Sequence, residues 1–533
     1  MAACLAALVL CAIGAAAPIA GDVGSRASAK LDEGIVEHQS RKYPVFVRMA
    51  DQLFRRGGDY EAFCRERGKQ KRGELRRFVL QTLREKSNRS WQKTEQALRE
   101  LEAAKQVGSI ERFWIVNGFA CDATWAACRR LAEREAVAFV YMQRGPVRQH
   151  RPPTFRLSAA QREQMLEGQR AVYRQVLEQW KDDTDEPFSA EGLEIPWNLE
   201  RIGADAAWRE GATGKGVVVA LCDTGLMVAP ALVRALWRNP KEKLNGEDDD
   251  GNGYVDDLFG YDFASRSFYA LGDRARLPHG SMCAGIVAGR PLNDRKLVTG
   301  VAPRARVMPL RGMGLLNAYQ YALANGADVL SMSYMWPRVK LGHYRGLYRT
   351  AHEHLAAGGI VAVGGAGNFS RLPSGSQIAL PKDIPCVIAA AGILEDGSKA
   401  PMGSEGPCTW NGVKFYDDYP PDAPLPKPDV TGCFGGYPVW GRPLAFRRFR
   451  IVTKVDQRFA LIVGPQGNSF SGPHAGGVAA LMLSANPELN AWEVKELMER
   501  TCKDIGAKGR DTVFGAGLLQ ALEAVRAAKA VRK

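Results

Sequence analysis

The chain has 533 residues, 46% of them hydrophobic and 24% charged, with 72 Lys and Arg against 58 Asp and Glu for a formal net charge of +14. That length exceeds one ordinary domain, and that composition excludes both a disordered chain and a small disulfide scaffold, since the eleven cysteines are spread over a large protein. The basic excess falls mostly before residue 180, in runs such as Arg55-Arg56 and Arg129-Arg130, yet no zinc-finger spacing or aromatic-interleaved basic motif accompanies it, so no nucleic-acid partner is expected.

The first twenty residues are nearly all apolar. Leu5 to Ile13 suits the hydrophobic stretch of a secretory signal and Gly14 to Ala17 its cleavage zone, although no Lys or Arg precedes them. The stretch is short for a membrane span, and no other run is long enough. Residues 1–20 are therefore expected to be a signal peptide, placing the protein outside the cell or in the cell envelope or periplasm, with no stable membrane span once the signal is removed. Residues 21–112 are polar, basic and helical in period. Phe113 to Gly118 reads as a strand, Asp122 as the cap of a helix from Ala123 to Ala132, and Val137 to Tyr141 as a second strand. These form a small β-α-β unit over 113–145. In the segment 146–194, Ser158 to Trp180 reads as a long amphipathic helix and Lys181 to Glu186 as an exposed acidic linker.

After Ile195-Pro196-Trp197 short apolar strands alternate with helices. The strands are Val217 to Cys222, Val307 to Leu310, Val329 to Ser333, Ile360 to Val363 and Val387 to Ala391, with helical runs such as Leu316 to Ala324 between them. This alternation predicts a mainly parallel sheet covered on both faces, with ligand and catalytic groups gathered beyond the carboxyl ends of its strands. A final helix starts at Asn490, where Glu493 completes a capping box. Cys222 and Cys386 lie in apolar strand runs and read as buried free thiols. Cys408 and Cys433 flank a loop rich in Pro and Asp and form the first pair to test for a bridge.

Four segments carry chemistry. Val217 to Cys222 runs into Asp223-Thr224-Gly225. A loop then leads to His279-Gly280. Ile360 to Val363 runs into Gly364-Gly365-Ala366-Gly367-Asn368. Finally Gly467-Asn468-Ser469-Phe470-Ser471 opens an apolar helix that Pro487 ends. Together they supply an acid, a base, a side-chain donor and a hydroxyl nucleophile at a helix N-terminus, where developing negative charge is stabilised. The chain order Asp223, His279, Ser469 differs from an α/β-hydrolase, which places Ser first in Gly-x-Ser-x-Gly, and from a chymotrypsin-like protease, which places His first. No second Asp-Thr-Gly half is present, so a pepsin-like protease is excluded. Separately, Asp248-Asp249-Asp250-Gly251-Asn252 sets carboxylates at alternate positions before a glycine turn. It resembles the first half of an EF-hand loop, and Asp248, Asp250, Asn252 and Asp256 are the expected ligands of a structural Ca²⁺, although Phe259 stands where a bidentate acid would close the loop.

Asp-Thr-Gly, His-Gly-x-x-x-Ala-Gly, Ala-Gly-Asn and Gly-x-Ser-x-x-x-Pro-His, in this order, resemble the four motifs of the subtilisin-like serine proteases (subtilases, peptidase family S8). Gly300-Val301-Ala302-Pro303 and Lys427-Pro428-Asp429-Val430 add secondary matches. The resemblance covers residues 195–530 and implies a three-layer α/β/α fold preceded by a small α+β propeptide domain, the 113–145 unit resembling the end of a subtilase inhibitor-like propeptide. It implies a secreted serine endopeptidase made as a self-maturing zymogen, with cleavage between about 143 and 195. Ser469 is then the nucleophile, His279 the general base and Asp223 its partner. Asn368 and the Ser469 N–H form the oxyanion hole, and Ser333, Tyr334, Met335, Gly365, Ala366 and Gly367 line the substrate cleft. The implied partners are protein or peptide substrates and the chain's own propeptide as an intramolecular inhibitor, with no cofactor for catalysis. The alternative is a catalytically silent member of the same fold acting as a binding or assembly protein. This chain departs from the family at Ser281-Met282, at Asn468 and Phe470 around the serine, and at Ser333-Tyr334-Met335-Trp336, where Met335 and Trp336 bring bulk in place of glycines on the substrate-binding strand. Cys283 falls where some members carry a thiol beside the histidine, which predicts sensitivity to mercurials.

Overall fold

The computed structural model describes residues 27–145, 158–180, 188–272, 278–291, 296–337, 339–442, 450–455 and 459–532; the signal-like segment and the Lys181 to Glu186 linker lie outside them. The N-terminal region builds a four-stranded antiparallel sheet from β1 (Lys42–Met49), β2 (Val107–Phe113), β3 (Gly118–Thr124) and β4 (Val137–Met142), in the order β2-β3-β1-β4. Its central strand β1 sits inside the stretch that the sequence presents as wholly helical. The stretch also holds the helices Asp59–Arg67, Arg72–Gln92 and Glu95–Ala103 and most of β2. Phe113 closes β2 rather than opening a strand, a 3₁₀ turn covers Trp114–Val116, and Thr124, not Asp122, caps the helix Trp125–Ala132 by accepting from the Ala127 N–H.

Period-two alternation divides the faces of this sheet. Val45 and Val47 point to a small core with Leu98, Leu101 and Leu131. Phe46, Phe113, Phe139 and Tyr141 point the other way and belong to the main core of the chain. Phe46 and Phe113 have no exposed surface, and each such ring contributes about 1.5–3 kcal/mol by burial. The docking is reinforced by charge: Arg72 meets Asp328 at 2.6 Å, with both side chains nearly buried.

The main sheet has seven parallel strands: β5 (Val218–Asp223), β6 (Tyr261–Asp262), β7 (Arg306–Arg311), β8 (Val329–Met332), β9 (Val361–Gly365), β10 (Ile388–Ile393) and β11 (Val430–Cys433). Their order is β11-β10-β9-β8-β5-β7-β6, so the winding reverses between β5 and β8. Helices cover both faces, giving the three-layer α/β/α arrangement expected. The crevice of such a sheet opens at the carboxyl ends beside the reversal, where Asp223 ends β5 and Ser333 follows β8. A small antiparallel sheet that the sequence did not announce, β12 (Val439–Gly441), β13 (Arg450–Lys454) and β14 (Ala460–Val463), packs against the helix His279–Ala288 through Trp440 and Gly285. Asn490 and Glu493 do form a capping box, but the helix they open, Ala491–Arg500, is followed by another, Ala521–Ala530.

Cys408 and Cys433 are not bridged. Each thiol donates to a separate main-chain carbonyl, Ile378 and Asn198, and all described cysteines are free. Cys222 and Cys386 are free as expected, Cys222 buried and Cys386 half-buried.

Candidate active site

Asp223 stands at the carboxyl end of β5 and is 1% exposed. His279 is the first residue of the helix His279–Ala288. Their side chains meet with Asp223 Oδ1 2.8 Å from His279 Nδ1, and the same oxygen accepts from the Thr224 N–H at 2.8 Å. A carboxylate oxygen accepts only, so His279 Nδ1 carries the proton and Nε2 is the basic nitrogen. Thr224 Oγ1 accepts from the Gly280 N–H at 2.9 Å, and Ser281 Oγ from the Met227 N–H at 2.8 Å. These two hydroxyls tie the start of the histidine helix to the loop after β5. Burial opposes charge on His279, but Cys283 and Asp223 outweigh it and hold its pKa well above the ordinary value. Burial also holds the Cys283 thiol up.

Ser469 is the second residue of the helix Asn468–Ala485 and half-exposed. Its N–H is among those a helix start leaves unpaired. Pro473 lies four residues on and has no N–H to close the turn onto the Ser469 carbonyl. That carbonyl is taken up from outside: Ser333 Oγ donates to it at 2.7 Å and Cys283 Sγ at 3.5 Å. Cys283 is also 3.9 Å from His279 Nδ1, so histidine and serine share a neighbour, and the Phe470 ring stacks near the imidazole at 6.3 Å. The turn is pressed against β9 backbone to backbone. A Cβ on Gly365 would lie 1.8 Å from the Asn468 carbonyl oxygen, and one on Gly472 would lie 2.4 Å from the Gly365 nitrogen. Only glycine fits at either place.

Asn368, just past β9, accepts from the Asn468 N–H through Oδ1 at 2.8 Å. Anchoring the oxygen leaves the NH₂ end to donate. Asn468 donates its own side-chain amide to the Gly367 carbonyl at 2.6 Å, which gives this unusual residue a positioning task. Of the cleft segment, Ser333 braces Ser469, while Tyr334 turns inward to Tyr319 Oη at 2.7 Å and Cys222 Sγ at 3.7 Å. Trp336, expected to crowd the cleft, packs on Tyr334 and Tyr348 instead.

Sequence reasoning missed two residues. Lys382 is fully buried, and its ammonium donates to the Tyr334 carbonyl beneath the cleft segment. Burial pushes its pKa down to about 7 against the pull of Cys222, Asp223 and Asp383. A lysine in Pro381-Lys382-Asp383 reads as solvated surface, so nothing local signalled it. Asn198 donates to His474 Nε2 at 2.9 Å, while His474 Nδ1 donates to the Phe470 carbonyl at 2.8 Å. Burial pushes His474 down to about 4, which makes it a neutral strut for the serine turn.

The acidic loop converges differently from its sequence pattern. Asp248 accepts from the Asn252 and Gly253 N–H groups, Asn252 accepts from the Tyr254 N–H and donates to Asp257, and Asp256 accepts from the Asn245 and Gly246 N–H groups and pairs with Arg170. All four expected ligands thus shape the loop, Asp250 by accepting from the Asn252 N–H and the Asn239 side chain, each at 3.1 Å. Asp250 also joins Glu242 and Asp257, with oxygens within 4.8 Å of one another. Glu242 Oε2 is buried without a hydrogen-bond partner. Burial, then Asp257, pushes Glu242 up to about 7, and burial raises Asp257. Such a cluster of hard oxygens fits a divalent cation.

The model of a family described as the subtilase family matches residues 214–517. Subtilisin E of Bacillus subtilis is 24% identical over 334 residues, covering 61% of this chain and 70% of that protein. A calcium-dependent protease of Trichormus variabilis is 29% identical over 285 residues, 47% of this chain and 40% of that protein. Among solved structures, a protease from Pseudoalteromonas arctica aligns with a TM-score of 0.41 at 22% identity, over 61% of this chain and 94% of that one.

Proposed function

Because the chain belongs to the subtilase family and is a serine endopeptidase, we propose that it hydrolyses peptide bonds through an acyl-enzyme on Ser469. His279 Nε2 takes the serine proton and returns it to the leaving amine, and Asp223 orients the ring and stabilises its charged form. The Ser469 N–H and the Asn368 NH₂ receive the oxyanion, and Ser333, Tyr334, Met335 and Gly365 to Gly367 border the peptide. The observation that carries this reading is the 2.8 Å pair of Asp223 and His279 at the carboxyl edge of β5, beside the reversal of the sheet. A fluorophosphonate probe tests it: the wild type labels, Ser469→Ala does not. Labelling that persists in Ser469→Ala, or a labelled protein unable to cleave casein, counts against it.

We further propose that residues 21–145 act as an inhibitor-like pro-region, that a signal at 1–20 directs secretion, and that the chain matures itself. The aromatic face shared with the main core supports docking, as does Gly145, where a Cβ would lie 3.3 Å from the Tyr344 ring and 3.4 Å from Tyr348 Oη. No helix among the described residues is long and apolar enough to cross a membrane. N-terminal analysis checks maturation: processing in the wild type and none in Ser469→Ala is expected. For a structural Ca²⁺ the ligands are Glu242, Asp250 and Asp257, supported by the orphaned Glu242 oxygen and by the name of the calcium-dependent relative.

A further inference from the structure

The residue whose carbonyl Ser469 attacks must place that oxygen between the Ser469 N–H and Asn368, so its side chain leaves into the space between the two segments that meet at Ser469. One is 333–336, braced through Ser333 Oγ to the Ser469 carbonyl at 2.7 Å. The other is 364–368, pressed on the serine turn at Gly365. The Met335 thioether bridges them: its Sδ lies 2.6 Å from where a Cβ on Gly367 would stand, and its methyl 3.1 Å away. Gly367 has φ of +119°, a conformation glycine adopts freely, so the sulfur occupies the ground a side chain there would take. Ser404 Oγ lies 2.7 Å from the same point. The neighbours of Met335 leave that space to it, since Tyr334 points to Tyr319 and Trp336 to Tyr348. The segment cannot back away, because the Tyr334 carbonyl is held by the buried Lys382 ammonium and the Trp336 N–H donates to the Leu380 carbonyl at 3.2 Å.

We propose that Met335 fills the acyl-side pocket and restricts the enzyme to peptides with glycine, alanine or serine before the cleaved bond. This rests on the peptidase reading above. The test uses the full-length protein, its active fraction counted by fluorophosphonate labelling, on tetrapeptide p-nitroanilides that differ only in having Ala or Phe before the anilide. For the wild type, kcat/KM for Ala should exceed that for Phe by about 10- to 200-fold, the span a filled apolar pocket imposes. Met335→Gly should raise the Phe-to-Ala ratio by about tenfold or more, while Met335→Leu, of similar volume, should keep it near the wild-type value. If Met335→Gly does not fold, the wild-type and Met335→Leu ratios still decide. A labelled wild type that cleaves Phe as well as Ala, or a ratio unmoved by Met335→Gly, overturns the inference alone. A protein that neither labels nor cleaves either peptide overturns the peptidase reading and this inference with it.

Discussion

Acidification should loosen the N-terminal domain through one buried histidine. His354 lies on the helix Arg345–Ala357 with no exposed surface. Its Nδ1 donates to the Ile115 carbonyl in the turn between β2 and β3, and its ring lies 5.1 Å from that of Phe54. Nε2 is buried with no hydrogen-bond partner, so a second proton would have nothing to bond. Burial pushes the pKa from the ordinary 6.5 down to about 4, the Ile115 carbonyl opposing and Arg48 and Lys86 assisting. The undocked ring takes up a proton below about 6.5 and the docked ring only near 4, so docking is strongest above 6.5 and weakens as pH falls. At pH 5 the difference amounts to about 2 kcal/mol, roughly a 30-fold rise in the open population. His352 and His474, also pushed to about 4 by burial, titrate inside the main domain and shift global stability in the same direction. The assay must therefore be local. Hydrogen exchange of the amides at 107–124, measured in Ser469→Ala at pH 7 and pH 5 and corrected for intrinsic rates, should report that opening. His354→Gln, which keeps a donor for Ile115 but does not titrate, should show almost no such change. An opening free energy equal at the two pH values, or an equal fall in His354→Gln, refutes the reasoning.

Replacing Asn368 by Ala should lower kcat about 10²- to 10³-fold with little change in KM, a range borrowed from subtilisin; peptide hydrolysis normalised to labelled serine measures it, and a loss confined to KM would assign Asn368 to binding alone. Glu242→Gln should raise the melting temperature in chelator, by removing repulsion with Asp257 and Asp250, and abolish the response to Ca²⁺. In the wild type a 100-fold excess of cation over its Kd should add about 2.7 kcal/mol, and identical calcium responses in the two proteins would remove Glu242 from the site. Methylmercury should inactivate the wild type slowly, because the Cys283 thiol is buried and held up in pKa, and should spare Cys283→Ser. Full activity with Cys283 modified would contradict its placement beside His279.

Strand ends and motif order were readable because parallel strands buried on both faces leave continuous apolar runs whose last residues must emerge at one edge. Asp223 and Ser333 lie within a residue of where such runs stop, and Asn368 lies three residues past the end of β9. Less was legible wherever partners come from far along the chain. β1 hid in a basic stretch because Lys42 and Arg48 break its apolar pattern, and Arg48 is buried only because the Phe54 and Arg55 carbonyls and the Phe415 ring receive it. Lys382 and Asn198 acquire their tasks from Tyr334 and His474, over 45 and 270 residues away respectively. The alternating residues Asp248, Asp250 and Asn252 suggested ligands by spacing alone, whereas backbone N–H groups claim Asp248 and Asn252, and Glu242, outside the pattern, joins Asp250 in the cluster.

Pro473 gives the serine turn a property that its helix alone would not. An ordinary residue there would close the chain onto the Ser469 carbonyl and make the first turn self-sufficient. With that hydrogen missing, the carbonyl works as a socket into which the segment after β8 and the histidine helix both plug, through Ser333 and Cys283. The serine is thereby registered against two distant parts of the chain at once, and its alignment is a property of the assembled domain. A partly folded chain would hold the same serine with the socket empty.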